Sequence, residues 1–202
     1  MKRNKYSAGA VKFSFWFMEF RKEVQMLSSG KMFDEIKKLN EDENIFGAST
    51  PARAKVIYST VTNRIQSLDD SFIPLFMDSD VSTQKLFALA GTLAHDTLFF
   101  DFVYEVVREK LIIGNNTLTP ADFNIYFKNK QEQYPEIEKL TEATIKKLIR
   151  NYKTMLFEAG LLDENTRASE RKIIKPILDS VLKHWLDDYG YGPIAKALEG
   201  IR

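Results

Sequence analysis

The sequence contains no cysteine. That removes disulfides and thiolate metal sites, and it fits a reducing compartment. Histidine is nearly as scarce. His95 and His184 are the only two, they lie far apart, and neither has a metal-ligand spacing around it. His95 and Asp96 are adjacent, but neighbours on a helix do not face each other. There is no GxxxxGK[ST] loop and no GxGxxG after a strand pattern. Carboxylates are plentiful, yet none falls in a nuclease-like cluster. The expectation is a protein that is not an enzyme, with no metal and no cofactor.

Long hydrophobic runs are missing too. The most aromatic stretch, residues 11–20, is interrupted by Lys12 and Glu19. It falls well short of the ~20 apolar residues that span a bilayer. No small-residue cleavage site follows it, so it does not read as a signal peptide either. A cytoplasmic protein with no membrane partner is expected. With 44% hydrophobic and 28% charged residues, the 202-residue chain can bury a sizeable core and is not a disordered tail.

A third absence is local. Residues 49–68 hold no acid, although acids nearly equal bases over the whole chain. The net charge of +1 hides three blocks. Residues 1–68 carry 12 basic and 7 acidic residues, residues 69–138 carry 5 and 12, and residues 139–202 carry 12 and 9. Basic ends around an acidic middle suggest a polyanion partner touching the ends. The same boundaries divide the chain into an N-terminal helical region, an acidic helical core and a C-terminal region, all within one compact unit.

Almost every segment has helical periodicity, so the expected class is all-α with at most one short β-hairpin. Residues 2–6 read as a loose basic arm. A first helix is predicted over 10–28, with Phe13, Phe17, Phe20, Val24 and Leu27 inward, and a second over 32–39. Ser49-Thr50-Pro51 is a hydroxyl cap followed by a first-turn proline, starting a third helix to Leu68. Its outer face would carry Arg53, Lys55, Asn63 and Arg64. Residues 82–110 read as a helical pair or one helix bent near Gly91, with Asp96, Asp101, Glu105 and Glu109 on an acidic side. Thr119-Pro120 starts another helix, and Pro176 a later one.

The most informative stretch is residues 141–175. Thr141 is a good cap, and Glu142 suits the positive end of the helix dipole. Ile145, Leu148, Ile149, Tyr152, Met155, Leu156 and Ala159 fall on one helical face. Lys147, Arg150 and Thr154 point away from it, flanked by Lys146 and Lys153. Gly160 supplies a left-handed stop. A polar loop over 163–170 leads to Ile173-Ile174. The pattern is that of a winged-helix recognition helix followed by its wing; a solvated basic face is the plainer alternative.

Several short segments carry a resemblance in order along the chain: YSAG at 6–9, FMEFRK at 17–22, ENIF at 43–46, NRIQSL at 63–68, DFVYEVV at 101–107 and LFEAGLL at 156–162. With these the chain resembles the BrxA family of bacteriophage-exclusion (BREX) defence systems. The resemblance implies a non-enzymatic, mostly helical protein that binds double-stranded DNA, has a NusB-like helical part and partners other BREX subunits. It transfers no site residue by residue. The candidate contacts therefore rest on charge and face: Arg53, Lys55, Arg64, Lys146, Lys147, Arg150, Lys153, Arg167, Arg171 and Lys172. Asn63, Asn151 and Thr154 are added as candidates for base edges. Two rival readings stay open, a protein-interaction adaptor and a NusB-like RNA binder. Oligomeric state is not legible.

Overall fold

The helix α5 (Val81–His95) is buried on nearly every side: from Thr83 to Ala94 only Lys85 keeps appreciable exposure. A helix that is apolar all round belongs in the middle of a bundle. Packed around it are α1 (Phe17–Ser28), α3 (Pro51–Ile65), α4 (Phe72–Asp78), α6 (Thr97–Phe102) and α12 (Gly192–Glu199). The computed structural model describes residues 3–165 and 167–202. Among these the fold is mostly helical, with a single two-stranded ribbon, as the periodicity predicts.

The first helix is shorter than expected. It starts at Phe17, after a 3₁₀ turn at Gly9–Val11. Trp16 interrupts the predicted run because its backbone is left-handed, at φ 53°. The helix α2 spans Phe33–Glu43. At α3 the Thr50 hydroxyl accepts from the Arg53 amide at 3.1 Å, the cap the sequence announces.

The break after α5 also moves. It lies at Asp96, not Gly91: Asp96 is extended and its carboxylate accepts from the Phe99 amide at 3.0 Å, capping α6. Gly91 serves a different need. A Cβ there would meet the Arg64 carbonyl oxygen at 2.8 Å, so glycine lets α5 and α3 cross closely. From α6 the chain continues through a π-helical turn, Val103–Val107, into α7 (Arg108–Ile112). The two apolar helical stretches diverge by 110°. Among the described residues no single helix is long and apolar enough to cross a membrane.

The remaining chain adds β1 (Thr117–Leu118), α8 (Pro120–Gln133), α9 (Pro135–Glu138), α10 (Glu142–Glu158) and β2 (Arg171–Lys172). The strands are antiparallel, pairing Thr117 with Lys172 and Leu118 with Arg171. Leu162 bridges Ile173 on the other side. The loop over 163–170 is thus closed at its base by Asp163 N to Lys172 O at 3.0 Å and Ile174 N to Leu161 O at 2.9 Å. The helix expected from Pro176 begins later. Asp179 caps it through the Val181 amide, and α11 spans Ser180–Asp188. Buried side chains from Ala10 to Leu198 form one continuous core.

Candidate nucleic-acid interface

The helix α10 forms as its sequence dictates. Thr141 accepts from the Thr144 amide at 3.2 Å, and Gly160 closes the end at φ 86°. Leu148, Tyr152, Met155 and Leu156 are buried. Tyr152 stacks on Phe99 with centroids 4.4 Å apart, which anchors α10 against α6. The opposite side holds Lys146, Lys147 and Arg150, all exposed. Lys146 lies 3.7 Å from Glu142, but both are so exposed that the pair costs little to separate. Together they make the outer face of α10 cationic.

Their neighbours are used differently. Lys153 is half-buried, 5.1 Å from the Phe123 ring, and donates to the Ser169 carbonyl at 3.3 Å. Burial, with the Arg171 charge beside it, lowers its pKa. Lys153 therefore ties the loop to α10. Arg171 is buried at 3% exposure. Its Nε donates to the Asp163 carboxylate at 2.8 Å and its Nη2 to the Asp163 carbonyl. It braces the loop from within and is not the surface cation expected among the contacts. Arg167 and Lys172 are exposed. Thr166 of the same loop lies outside the described residues. Asn151, expected at base edges, is turned inward: its Nδ2 donates to Ala10 O at 2.6 Å and Val11 O at 3.1 Å. Thr154 is exposed, with its hydroxyl donating to the Arg150 carbonyl at 3.0 Å.

On α3 the acid-free face divides. Lys55 and Asn63 are exposed. Arg53 lies 4.8 Å over the Trp16 ring and donates to the Lys12 carbonyl at 3.4 Å. Arg64 is buried at 3% exposure, donating to Ser14 O at 3.0 Å and Phe15 O at 2.7 Å. Burial lowers its pKa to about 10, although Asp96 and Glu158 oppose that. It is a strut, not the surface cation expected from its helical position. Thr62 is also buried and donates to Glu23 at 2.5 Å. The missing acids here reflect a packed face as much as a surface one.

The turn at Ala10–Lys12 links the two helices, since Arg53 bonds it from α3 and Asn151 from α10. Lys12 is exposed on that turn. The sequence hides this turn, because periodicity alone continues residues 10–28 as one helix.

The basic arm is not loose from residue 3 onward. Arg3 ion-pairs with Asp101, and the Tyr6 hydroxyl donates to the same carboxylate at 2.5 Å. The Thr97 hydroxyl donates to Asn4 O at 2.7 Å. Met1 and Lys2 lie outside the described residues. Asp101, expected on an acidic outer side, is buried. So is Lys130, whose Nζ lies 3.0 Å from Asp101 and 2.8 Å from Glu105. The Tyr6, Tyr126 and Tyr134 rings surround that ammonium at 5.4–5.5 Å. Burial works against its charge, but the two carboxylates prevail and raise its pKa.

His95 Nδ1 is 3.3 Å from the Ser67 hydroxyl, and burial lowers its pKa, with Arg64 adding to that. His184 Nδ1 lies 2.6 Å from the Ser180 carbonyl in its own helix. Among the described residues no group of three His, Asp or Glu is placed to hold a metal ion.

The fold and site define a mostly helical protein whose α10 turns three exposed cations away from the core, beside a loop closed by paired strands. The BrxA family profile matches residues 4–190. The chain belongs to the BrxA family of bacteriophage-exclusion (BREX) defence proteins. It is 37% identical over 169 residues to a BREX protein BrxA of Bacillus cereus, covering 83% of this chain and 84% of that one. A BREX protein BrxA of Escherichia coli is 24% identical over 160 residues, covering 79% and 73%. The fold is shared with the crystal structure of an uncharacterized protein from Magnetospirillum magneticum. The TM-score is 0.82 at 17% identity, over 98% of this chain and all of that one.

Proposed function

We propose that the chain is a non-enzymatic, cytoplasmic accessory protein of a BREX phage-defence system that binds double-stranded DNA. The observation that carries this is the row Lys146, Lys147 and Arg150 on the outer face of α10, a helix rigidly anchored on its inner face. The surrounding order supports it: the helical stretch α6–α7, then β1, α8, the single turn α9, α10, a bridged strand residue, a loop and β2. We read this order as similar to that of a winged helix, with α10 taken as its recognition helix. Arg167 and Lys172 would extend the contact along the loop, and Lys12 with Lys55 would extend it toward α3.

Lysine and arginine meet phosphates, so binding is salt-sensitive and only weakly selective for sequence. Asn151 is committed to the Ala10–Lys12 turn, which leaves Asn63 and Thr154 as the base-edge candidates. An RNA reading through a NusB-like fold is less well supported. Single-stranded RNA recognition uses exposed aromatic platforms, and here most aromatics lie in the core. The test is a mobility shift with arbitrary duplex DNA and the folded full chain. A shift at low salt, with the DNA left uncut in magnesium, is expected. No shift with folded protein contradicts the reading, and cleavage lost on changing one carboxylate would make the protein an enzyme.

A further inference from the structure

A groove of about 840 Å³ runs between the start of α1, the start of α5, the end of α10 and the strand segment beyond it. Its floor is apolar. Met18, Val81 and Ile174 line it at 65%, 48% and 45% exposure. Three large apolar side chains exposed on one concavity offer a partner apolar surface to cover. Its rim is acidic: Glu19 stands on the α1 side, Glu158 and Glu164 on the side of α10 and the loop. One cation, Lys85, lies among them and is engaged 5.9 Å from the Phe17 ring.

The first turn of α1, which carries Met18 and Glu19, is set by Trp16. A bulky residue in left-handed backbone is rarely adopted and is maintained only by its surroundings. Trp16 also lines the groove, with Arg53 stacked on it from the other side. Burial raises the pKa of Glu158; Lys85 lowers it and Glu19 raises it. A further positive charge would therefore relieve two neighbouring carboxylates.

We infer that this groove docks a cationic amphipathic segment of another protein, its apolar residues on Met18, Val81 and Ile174 and its lysines or arginines on Glu19, Glu158 and Glu164. Charge decides the occupant. A net negative rim repels nucleic acid, so the groove and the basic face of α10 divide two partners between them. Apolar anchors at helical spacing, flanked by cations, match the floor and rim together. The inference does not depend on DNA binding, and each can fail alone.

The test uses fluorescence anisotropy with the full chain and a labelled 16-residue synthetic helix bearing leucines at i, i+3, i+4 and i+7 between lysines. The same peptide with glutamates replacing the lysines is the comparison. Saturable binding of the lysine peptide alone is expected, weakening with salt. It should fall by about tenfold or more in the double variant Glu19→Lys, Glu164→Lys and again in Met18→Glu. Circular dichroism should show both variants folded, and their duplex DNA binding should not fall. Reversal of Asp187 and Asp188, exposed on α11 and outside the groove's lining, should leave peptide binding unchanged. The inference is overturned if the two peptides bind alike, if neither binds, or if the Asp187/Asp188 reversal weakens binding equally. It is also overturned if sedimentation shows a dimer that Met18→Glu dissolves, since a second copy would then cover the groove.

Discussion

Arg64 donates its Nη1 to the carbonyl oxygen of Phe15 at 2.7 Å, and to that of Ser14 at 3.0 Å. A charge from the basic α3 thereby holds the segment that turns into α1. Removing it leaves two carbonyls unpaired beside a cavity. Arg64→Ala should destabilise the fold by about 2–4 kcal/mol in urea melts. Gly91→Ala presses on the carbonyl of the same residue and should cost about 1–3 kcal/mol through overpacking. Unchanged stability in Arg64→Ala would return this residue to the surface.

Glu23 gives a pH signature. It is fully buried, and its Oε1 accepts from Thr62 at 2.5 Å while its Oε2 has no partner. Burial pushes its pKa from 4.5 up to about 8, despite the Thr62 bond that lowers it. Between those two values the folded chain retains a proton that the unfolded chain has lost. Stability therefore falls as pH rises through that window. Glu23→Gln should flatten the slope and stabilise the protein at pH 8 by about 1–3 kcal/mol. Urea melts at about pH 5 and pH 8 on both proteins check this; a parallel pH response would contradict it.

Lys130 should behave as the keystone of the N-terminal arm. Lys130→Met leaves Asp101 buried without its nearest buried cation, at a cost of about 3 kcal/mol. The double variant Lys130→Met, Asp101→Asn should lose less than the sum of the two single changes. Proteolysis should cut near residues 3–8 sooner in Lys130→Met than in the parent. Equal cleavage would contradict that role and leave the arm held by the Arg3, Tyr6 and Thr97 bonds.

The elements that local chemistry announces are the ones the sequence reading placed well. Thr50-Pro51, Thr119-Pro120, Thr141 and Gly160 mark their helix ends because a cap or a left-handed stop acts over a few residues. What failed depended on distant partners. Trp16 breaks a run that periodicity would continue, and its left-handed backbone is held by packing far along the chain. Gly91 looks like a hinge until Arg64 is found across from it. Among the candidate contacts, Lys147, Arg150, Lys55, Arg167 and Lys172 are exposed, whereas Arg64 and Arg171 are inside. A helical wheel tells which way a cation leaves its own helix. It does not tell whether another segment, such as residues 14–15 or Asp163, is waiting there.

The proposed DNA contact is tested most directly by reversing the charges Lys147→Glu and Arg150→Glu together and titrating duplex binding with salt. Both residues are exposed, with Leu148 and Tyr152 left untouched beneath them. If both meet phosphates, the log–log salt slope should become shallower by about 2, since each contact contributes roughly 0.9. Affinity should fall at least tenfold, about 1.4 kcal/mol, while the melting temperature stays within a few degrees of the parent, since exposed changes cost under about 0.5 kcal/mol. An unchanged affinity and slope in the folded variant would contradict the account and leave the outer face of α10 as solvated surface.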